Sequence, residues 1–199
     1  ARCPWLRAKV GAVSPQNVTD PRLGPKGLDL LEQGLSAPQA MERLIADASD
    51  KEFRQVIMVD AAGRTAHWTG EKALGTRGVA EGQDCVSGGN LLSHPGVPRA
   101  LVESFERNSE SALPDRLITA LEAGLESGGE AGPVHSANVI VVHEQFWPLV
   151  DLRVDWADDN PIGVLRKLWQ DYRPQMQDYV TRALSPANAP KYGVPGDPK

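Results

Sequence analysis

Two hydrophobic patterns alternate along the 199-residue chain and predict its secondary structure. Short apolar and β-branched runs bounded by turn residues predict strands, whereas apolar residues spaced three or four positions apart predict amphipathic helices. The predicted strands are residues 9–13, 54–60, 65–69, 85–92, 137–143 and 149–154. The predicted helices are residues 27–33, a helix capped by Ser36, residues 97–107 and 114–125, a helix starting at Asn160-Pro161, and residues 175–184. Residues 70–84 are predicted to be loop with one edge strand.

The order of these elements predicts the fold class. Strands joined by tight turns pair in antiparallel fashion, and a continuous apolar strand such as residues 139–142 needs cover on both faces. We therefore expect an α+β protein in which two stacked antiparallel sheets lie between helix layers. Residues 1–184 are predicted to form a single domain. Residues 185–199 contain four prolines and two glycines and are predicted to form an extended tail.

Composition narrows the classes of function. The net charge of -5 argues against a surface for nucleic acid or for an anionic membrane, and no segment has the roughly 20 apolar residues of a membrane helix. Cys3 and Cys85 are too few for a disulfide scaffold, so a reducing cytoplasm is the expected compartment, with one disulfide as the open alternative. Neither these cysteines nor the histidines have metal-ligand spacing. We therefore expect no metal and no cofactor.

Several short motifs, taken in their order along the chain, resemble one family. They are residues 11–17 (GAVSPQN), 24–31 (GPKGLDLL), 54–56 (RQV), 89–92 (GNLL), 135–137 (HSA), 150–155 (VDLRVD) and, in the tail, 192–197 (YGVPGD). Each motif alone is weak, but the ordered set spans essentially the whole chain. The chain thus resembles the DUF1028 family, uncharacterised bacterial proteins grouped with the N-terminal-nucleophile (Ntn) hydrolase superfamily.

The resemblance implies both a fold and a reaction. The fold is a four-layer αββα sandwich, and the reaction is hydrolysis of an amide by an amino-terminal Thr, Ser or Cys. The free α-amine of that residue serves as the general base for its own side chain. Because the chain opens with Ala1 and family members begin further upstream, we expect the nucleophile in a segment preceding residue 1, as one chain or as a cleaved peptide. The alternative is a catalytically silent protein that binds a small molecule on the same fold.

Polar residues at two strand ends are the leading site candidates. Asn90 follows Gly88 and Gly89, and glycines let the backbone approach a ligand closely while an asparagine donates to an oxyanion. Gln16 and Asn17 end the first strand and are suited to grip a substrate amide. The alternatives are a β-bulge around Asn90 and a turn capped by Asn17. We expect Asn90, Gln16 and Asn17 to converge on one pocket, because ligand sites form where strands end.

A second group of candidates lies near the later strands. Asp151, Arg153 and Asp155 share one face by the two-residue strand period and are suited to orient a charged substrate. An ion-pair ladder on an exposed strand is the alternative. Ser136 beside His135 is a further substrate-binding candidate, although neighbours on a strand point to opposite faces.

The remaining residues of chemical interest favour structural roles. His67, His94, His135 and His143 are each expected to be packed or hydrogen-bonded. Cys3 would become an amino-terminal nucleophile only if two residues were trimmed, and Cys85 is predicted to be a small buried hydrophobe. The expected partner is a small-molecule amide. A homodimer is left open because an edge strand lies exposed beside the tail.

Overall fold

The computed structural model describes residues 3–196 and shows a mixed α/β protein. In chain order, the strands are β1 (Trp5–Arg7), β2 (Gly11–Gln16), β3 (Gln55–Asp60), β4 (Thr65–Thr69), β5 (Thr76–Gly82), β6 (Cys85–Leu92), β7 (Ala137–Val141) and β8 (Val150–Val154). The helices are α1 (Leu23–Glu32), α2 (Ala37–Ala46), α3 (Val97–Arg107), α4 (Leu113–Glu126), α5 (Pro161–Tyr172) and α6 (Met176–Leu184). Ala1 and the last tail residues, including Asp197 of the tail motif, lie outside the described residues. Within residues 3–196, every helix is too short or too polar for a bilayer span.

The first sheet has four antiparallel strands in the order β1-β2-β3-β4. Val13 of β2 pairs with Met58 of β3, and both side chains are buried on the face that α1 and α2 cover. The two helices add leucines and alanines to the same core. The apolar residues of each helix lie along one face, just as alternate residues of each strand lie on one face of the sheet. This cluster consists of Val13, Leu23, Leu28, Leu31, Ala37, Ala40, Met41, Leu44, Ile45, Val56 and Met58.

Local sequence signals fix where α2 begins. Ser36 and Gln39 form a reciprocal capping box, as predicted from the sequence. The carboxylate of Asp60, at the end of β3, also accepts a hydrogen bond from the Ala37 backbone N–H at 2.9 Å. This bond ties the start of α2 to the sheet.

Two further antiparallel pairs, β5–β6 and β7–β8, complete the strands of the described residues. Helix α3 packs on β5 and β6, and α4 packs on α3. Helices α4 and α5 pack on β7 and β8 around a second core that includes Ile118, Val139, Val150, Leu165 and Trp169. An isolated bridge between Leu92 and Glu130 links the end of β6 to the segment before β7.

Sheet β5–β6 meets the face of β3 that α1 and α2 leave uncovered. A Cβ atom on Gly88 of β6 would lie 2.8 Å from the Cγ2 atom of Ile57, so only glycine fits at this distance. Beside this contact, Gln16 donates to the Gly88 carbonyl at 3.0 Å and to the Gln55 side chain at 2.6 Å. Gln55 is fully buried. Two glutamine amides therefore form a polar bridge between the two sheets.

The structure corrects several predicted boundaries. The strand predicted for residues 9–13 is β2, which starts only at Gly11, because Lys9 has a φ of 64° and belongs to the turn between β1 and β2. Helix α1 begins at Leu23 rather than residue 27, and the edge strand predicted within residues 70–84 is β5, Thr76–Gly82. The described residues form three antiparallel sheets where two were expected.

Candidate functional site

The polar side chains at the end of β2 and near the end of β6 come together. The Asn90 side-chain amide donates to Oδ1 of Asn17 at 3.1 Å. Gln16 reaches the same strand two residues earlier, at the carbonyl of Gly88. Strands distant in sequence thus bring Gln16, Asn17 and Asn90 to one place, where β2 ends against β6.

Asn17 is held by three hydrogen bonds and acts as a fixed support. Its Nδ2 donates to the Phe53 carbonyl at 2.6 Å, and its Oδ1 accepts from the Leu74 backbone N–H at 3.2 Å as well as from Asn90. Only one orientation of the amide satisfies both backbone groups, because a carbonyl must face a donor and an N–H must face an acceptor. Asn17 is 8% exposed. Its side chain therefore orients Asn90 through an Oδ1 that is fully used and, within residues 3–196, retains one N–H of Nδ2.

Asn90 retains hydrogen-bonding capacity after it has bound Asn17. A side-chain amide has two N–H donors and an acceptor oxygen. One donor is used on Asn17, and within residues 3–196 the second donor and the oxygen have no further partner. Asn90 is partly buried. It is the more exposed member of the pair and can donate to a substrate oxygen.

The glycines before Asn90 serve packing. Gly88 meets Ile57 as described above, and a Cβ atom on Gly89 would lie 2.7 Å from a methyl carbon of Leu92. Gly89 was predicted to lie beside the substrate, and its contact with Leu92 adds a packing reason for glycine at this position. The irregular pairing of β5 with β6 lies between Thr76 and Gly78, opposite this stretch.

The backbone beside both asparagines adopts the left-handed region. The φ angles are 58° at Asn17, 44° at Val18 and 55° at Leu91. Asparagine tolerates this region, but a β-branched valine there is an outlier, and such residues cost of order 1–3 kcal/mol each. Backbone strain of this kind concentrates at functional sites. The left-handed conformation of Asn17, Val18 and Leu91 therefore indicates the amide pair as a candidate functional site.

A strongly acidic carboxyl lies three residues beyond Asn17. Asp20 accepts hydrogen bonds from Nε and Nη2 of Arg22 at 2.9 and 2.7 Å. These side-chain bonds lower the pKa of Asp20 to about 2, against the opposing effect of its burial. The carboxylate stays ionised and paired at neutral pH, so Asp20 is unsuited to act as a general acid. It also accepts from the Arg22 backbone N–H and orders the turn into α1.

Sequence reasoning missed Gln55 and Asp20. Gln55 was treated as part of an apolar strand. A polar side chain at a position predicted to be buried requires hydrogen-bond partners, and this requirement was the signal for the polar bridge. Asp20 precedes Pro21 just before α1, which is a typical helix-start signal.

Asp151 and Arg153 lie on another sheet. Both side chains are exposed on β8, and Arg153 pairs with Asp155 at 2.8 Å. The Arg153–Asp155 pair is one contact of the ion-pair ladder that was the alternative prediction. Ser136 lies one residue before β7, in the loop beside His135.

The histidines and cysteines are engaged structurally or lie apart. His135 stacks on Trp156 with ring centroids 4.2 Å apart and bonds through Nδ1 to the Ala157 carbonyl. Burial, assisted by the nearby Glu106, raises the pKa of the Cys85 thiol, which makes it a poor nucleophile. Both cysteines are free. Among the residues that the structure describes, no three His, Cys, Asp or Glu side chains are grouped to hold a metal ion.

The fold and these strand ends define a mixed α/β protein built on antiparallel sheets, with a polar amide pair between two of them. The model of the family described as "Family of unknown function (DUF1028)" matches residues 1–165, and the chain belongs to this family. The chain is also similar to protein SPO2555 from Silicibacter pomeroyi, whose crystal structure carries the same family model. That similarity has a TM-score of 0.81 and 27% identity and covers 90% of this chain and 77% of the other. No curated protein matches the chain.

Proposed function

We propose that this protein hydrolyses the amide bond of a small molecule by the N-terminal-nucleophile mechanism. The nucleophile is the amino-terminal Thr, Ser or Cys that the family resemblance implies, in a segment preceding residue 1. The observation that carries the proposal is the Asn17–Asn90 pair, in which one amide holds the other with a donor to spare. A pre-oriented donor of this kind stabilises the charge that develops on the substrate oxygen.

The packing of the elements supports the Ntn-type fold on which the proposal relies. Helices α1 and α2 cover one face of the first sheet, β3 and β6 meet at its other face, and α3 packs on β5 and β6. We propose that these contacts form the four-layer αββα sandwich. The third pair, β7–β8, would extend the second sheet through the bridge between Leu92 and Glu130.

The proposed reaction proceeds through an acyl-enzyme. The α-amine removes the proton from the nucleophile, which attacks the amide carbon, and the carbonyl oxygen becomes an oxyanion that accepts a hydrogen bond from Asn90. The C–N bond then breaks, and the α-amine passes its proton to the leaving amine. Water, deprotonated by the same amine, hydrolyses the acyl-enzyme and releases the carboxylic acid.

The second candidate is a silent binding protein on the same fold. It is favoured by the burial of Asn17, whose Oδ1 is fully used, and by the close packing of Gly88, which leave Asn90 as the member of the pair with both a donor and an acceptor for a ligand. In both candidates the partner is a small molecule and not a nucleic acid. The free Cys3 and Cys85 agree with the reducing cytoplasm that we propose as the compartment. We also propose that the protein forms a homodimer, which sedimentation would detect from the mass of the particle.

The decisive experiment uses protein expressed from the complete gene. Intact mass and N-terminal sequencing identify the first residue, and release of amine from a panel of small amides measures activity. Asn90→Ala should lower kcat by about 10²–10³ with an unchanged circular-dichroism spectrum. Asn188→Ala, an exposed asparagine in the tail, is the matched control and should keep full activity.

Two results would contradict the amidase proposal. A protein that begins with Thr, Ser or Cys but hydrolyses no amide in the panel would favour the binding-protein candidate. Full turnover by Asn90→Ala would remove this residue from the reaction.

A further inference from the structure

Three exposed aliphatic side chains belong to residues that adjoin the Asn17–Asn90 pair in sequence or bind it through the backbone. Val18 follows Asn17, Leu91 follows Asn90, and the backbone of Leu74 donates to Asn17. These side chains are 52%, 45% and 50% exposed, respectively. We call Val18, Leu74 and Leu91 the aliphatic rim.

Backbone contacts hold the rim together. The Leu91 N–H donates to the Leu74 carbonyl at 3.1 Å, next to the bond from the Leu74 N–H to Asn17. The Leu91 side chain lies against Gly75, where a Cβ atom would come within 2.9 Å of Leu91 Cδ2. The rim and the amide pair are therefore one connected surface.

The rim keeps its exposure at a conformational cost. Val18 and Leu91 both have positive φ angles, a conformation that disfavours side chains with a Cβ. In a core, burial of the side chain would offset such strain, but these two remain about half exposed. The strain therefore holds apolar side chains beside a polar pair, where a ligand with both characters would cover them.

We propose that the aliphatic rim binds the acyl group of the substrate, which is a neutral amide with an aliphatic chain on its carbonyl carbon. This inference rests on the proposed function, because it takes Asn90 as the group that binds the amide oxygen. The first carbon of the acyl chain lies two bonds from that oxygen, so the chain begins close to Leu91, the neighbour of Asn90. The acyl chain is uncharged because the rim side chains that cover it are aliphatic and would desolvate a charge without pairing it.

A series of primary amides tests the inference by binding alone. Ligand-observed NMR measures the affinities of acetamide, butanamide and hexanamide for the protein. The affinity should rise about fourfold for each added methylene, since burial of one CH₂ contributes about 0.8 kcal/mol. Succinamic acid, whose chain ends in a carboxylate, should bind more weakly than butanamide.

Polar substitutions of nearly equal size identify the side chains responsible. Leu74→Asn should weaken hexanamide binding about tenfold and leave acetamide binding unchanged. Leu184→Asn changes a leucine of α6 that is 57% exposed, and this matched control should change neither affinity. Val18→Thr keeps the branched shape and provides a second variant if Leu74→Asn does not fold.

The outcomes separate this inference from the proposed function. Affinity that does not depend on chain length, or equal losses for acetamide and hexanamide, overturns the inference even if short amides are hydrolysed. A dimer that Leu74→Asn dissociates also overturns it, because a second copy would then cover the rim. Chain-length-dependent binding that Leu74→Asn abolishes supports the rim as an acyl site, and absence of turnover in that case contradicts only the amidase proposal.

Discussion

Replacing Asp60 by asparagine tests whether a buried carboxylate ties α2 to the first sheet. One oxygen of Asp60 accepts from Ala37 N and Arg64 Nε at 2.9 and 2.8 Å, and the other accepts from Ala62 N and Arg64 N at 2.9 and 3.0 Å. The side chain is 5% exposed. Asparagine has nearly the same shape, but it presents an NH₂ group to one of these two pairs of donors. Two charge-assisted hydrogen bonds are therefore lost.

The expected loss of stability follows from this count. A hydrogen bond to a charged group contributes about 1.5 kcal/mol at the low end of its range, so two lost bonds lower the free energy of unfolding by about 3 kcal/mol. For a urea m-value of about 2.5 kcal/mol/M, the unfolding midpoint falls by roughly 1 M. Asp159→Asn, an exposed control, should stay within about 0.5 kcal/mol of the parent.

The pH dependence of the same variant checks the electrostatic part of the argument. Burial acts to raise the pKa of Asp60, but the hydrogen bonds from Ala37, Arg64 and Ala62 outweigh it and hold that pKa below its ordinary value. The stability that the carboxylate contributes is thus fully present above its unfolded pKa of about 3.9 and is lost as the pH falls through the lower folded pKa. Urea unfolding followed by circular dichroism should show that the midpoints of the parent protein and of Asp60→Asn differ less at pH 3 than at pH 7. Equal midpoints for the two proteins at pH 7, or a difference that does not become smaller at pH 3, would refute the reasoning.

Two further changes probe the sheet contact and the turn into α1. Gly88→Ala places a methyl group 2.8 Å from Ile57 Cγ2 and should destabilise the protein by about 1–3 kcal/mol in thermal or urea unfolding, whereas the same change should cost less in an Ile57→Ala background, which lacks Cγ2. An equal cost in both backgrounds would mean that the clash lies elsewhere. Arg22→Ala removes the side-chain bonds that hold the pKa of Asp20 at about 2, and carbon-detected NMR titration should show that pKa rising towards the ordinary aspartate value. An unchanged Asp20 titration would contradict the assigned cause.

Elements with strong local signals were predictable from the sequence. The capping box at Ser36 and the Asn160-Pro161 start located α2 and α5 because a cap and the following turn lie within a few residues. For β5 the sequence predicted an edge strand within residues 70–84 but not its bounds, since residues 76–82 are mostly exposed or half-buried and acquire strand structure by pairing with β6. The turn at Lys9 was missed for a similar reason. The positive φ of Lys9 does not alter the pattern of apolar residues, so that pattern gives no signal of the turn.

The candidate site was predictable in its polar members and not in its surroundings. Asn90, Gln16 and Asn17 follow apolar strands, and polar residues at such positions indicate a ligand site. Their arrangement depends on contacts between residues 73 positions apart, which one sequence does not reveal. The role of Leu74 was hidden in the same way, because its exposure beside Asn17 results from the packing of a loop.

The polar bridge between Gln16, Gln55 and β6 has a consequence for the order of folding. Gln16 and Gly88 are 72 positions apart, so their bond forms only after the β5–β6 hairpin has docked on the first sheet. Interactions that form late are absent from the folding transition state and act mainly on the unfolding rate. We therefore expect the bridge to slow the opening of the sheets more than it speeds their assembly. Residence time in the folded state, and with it resistance to proteases, is the property that we expect these two glutamines to change most.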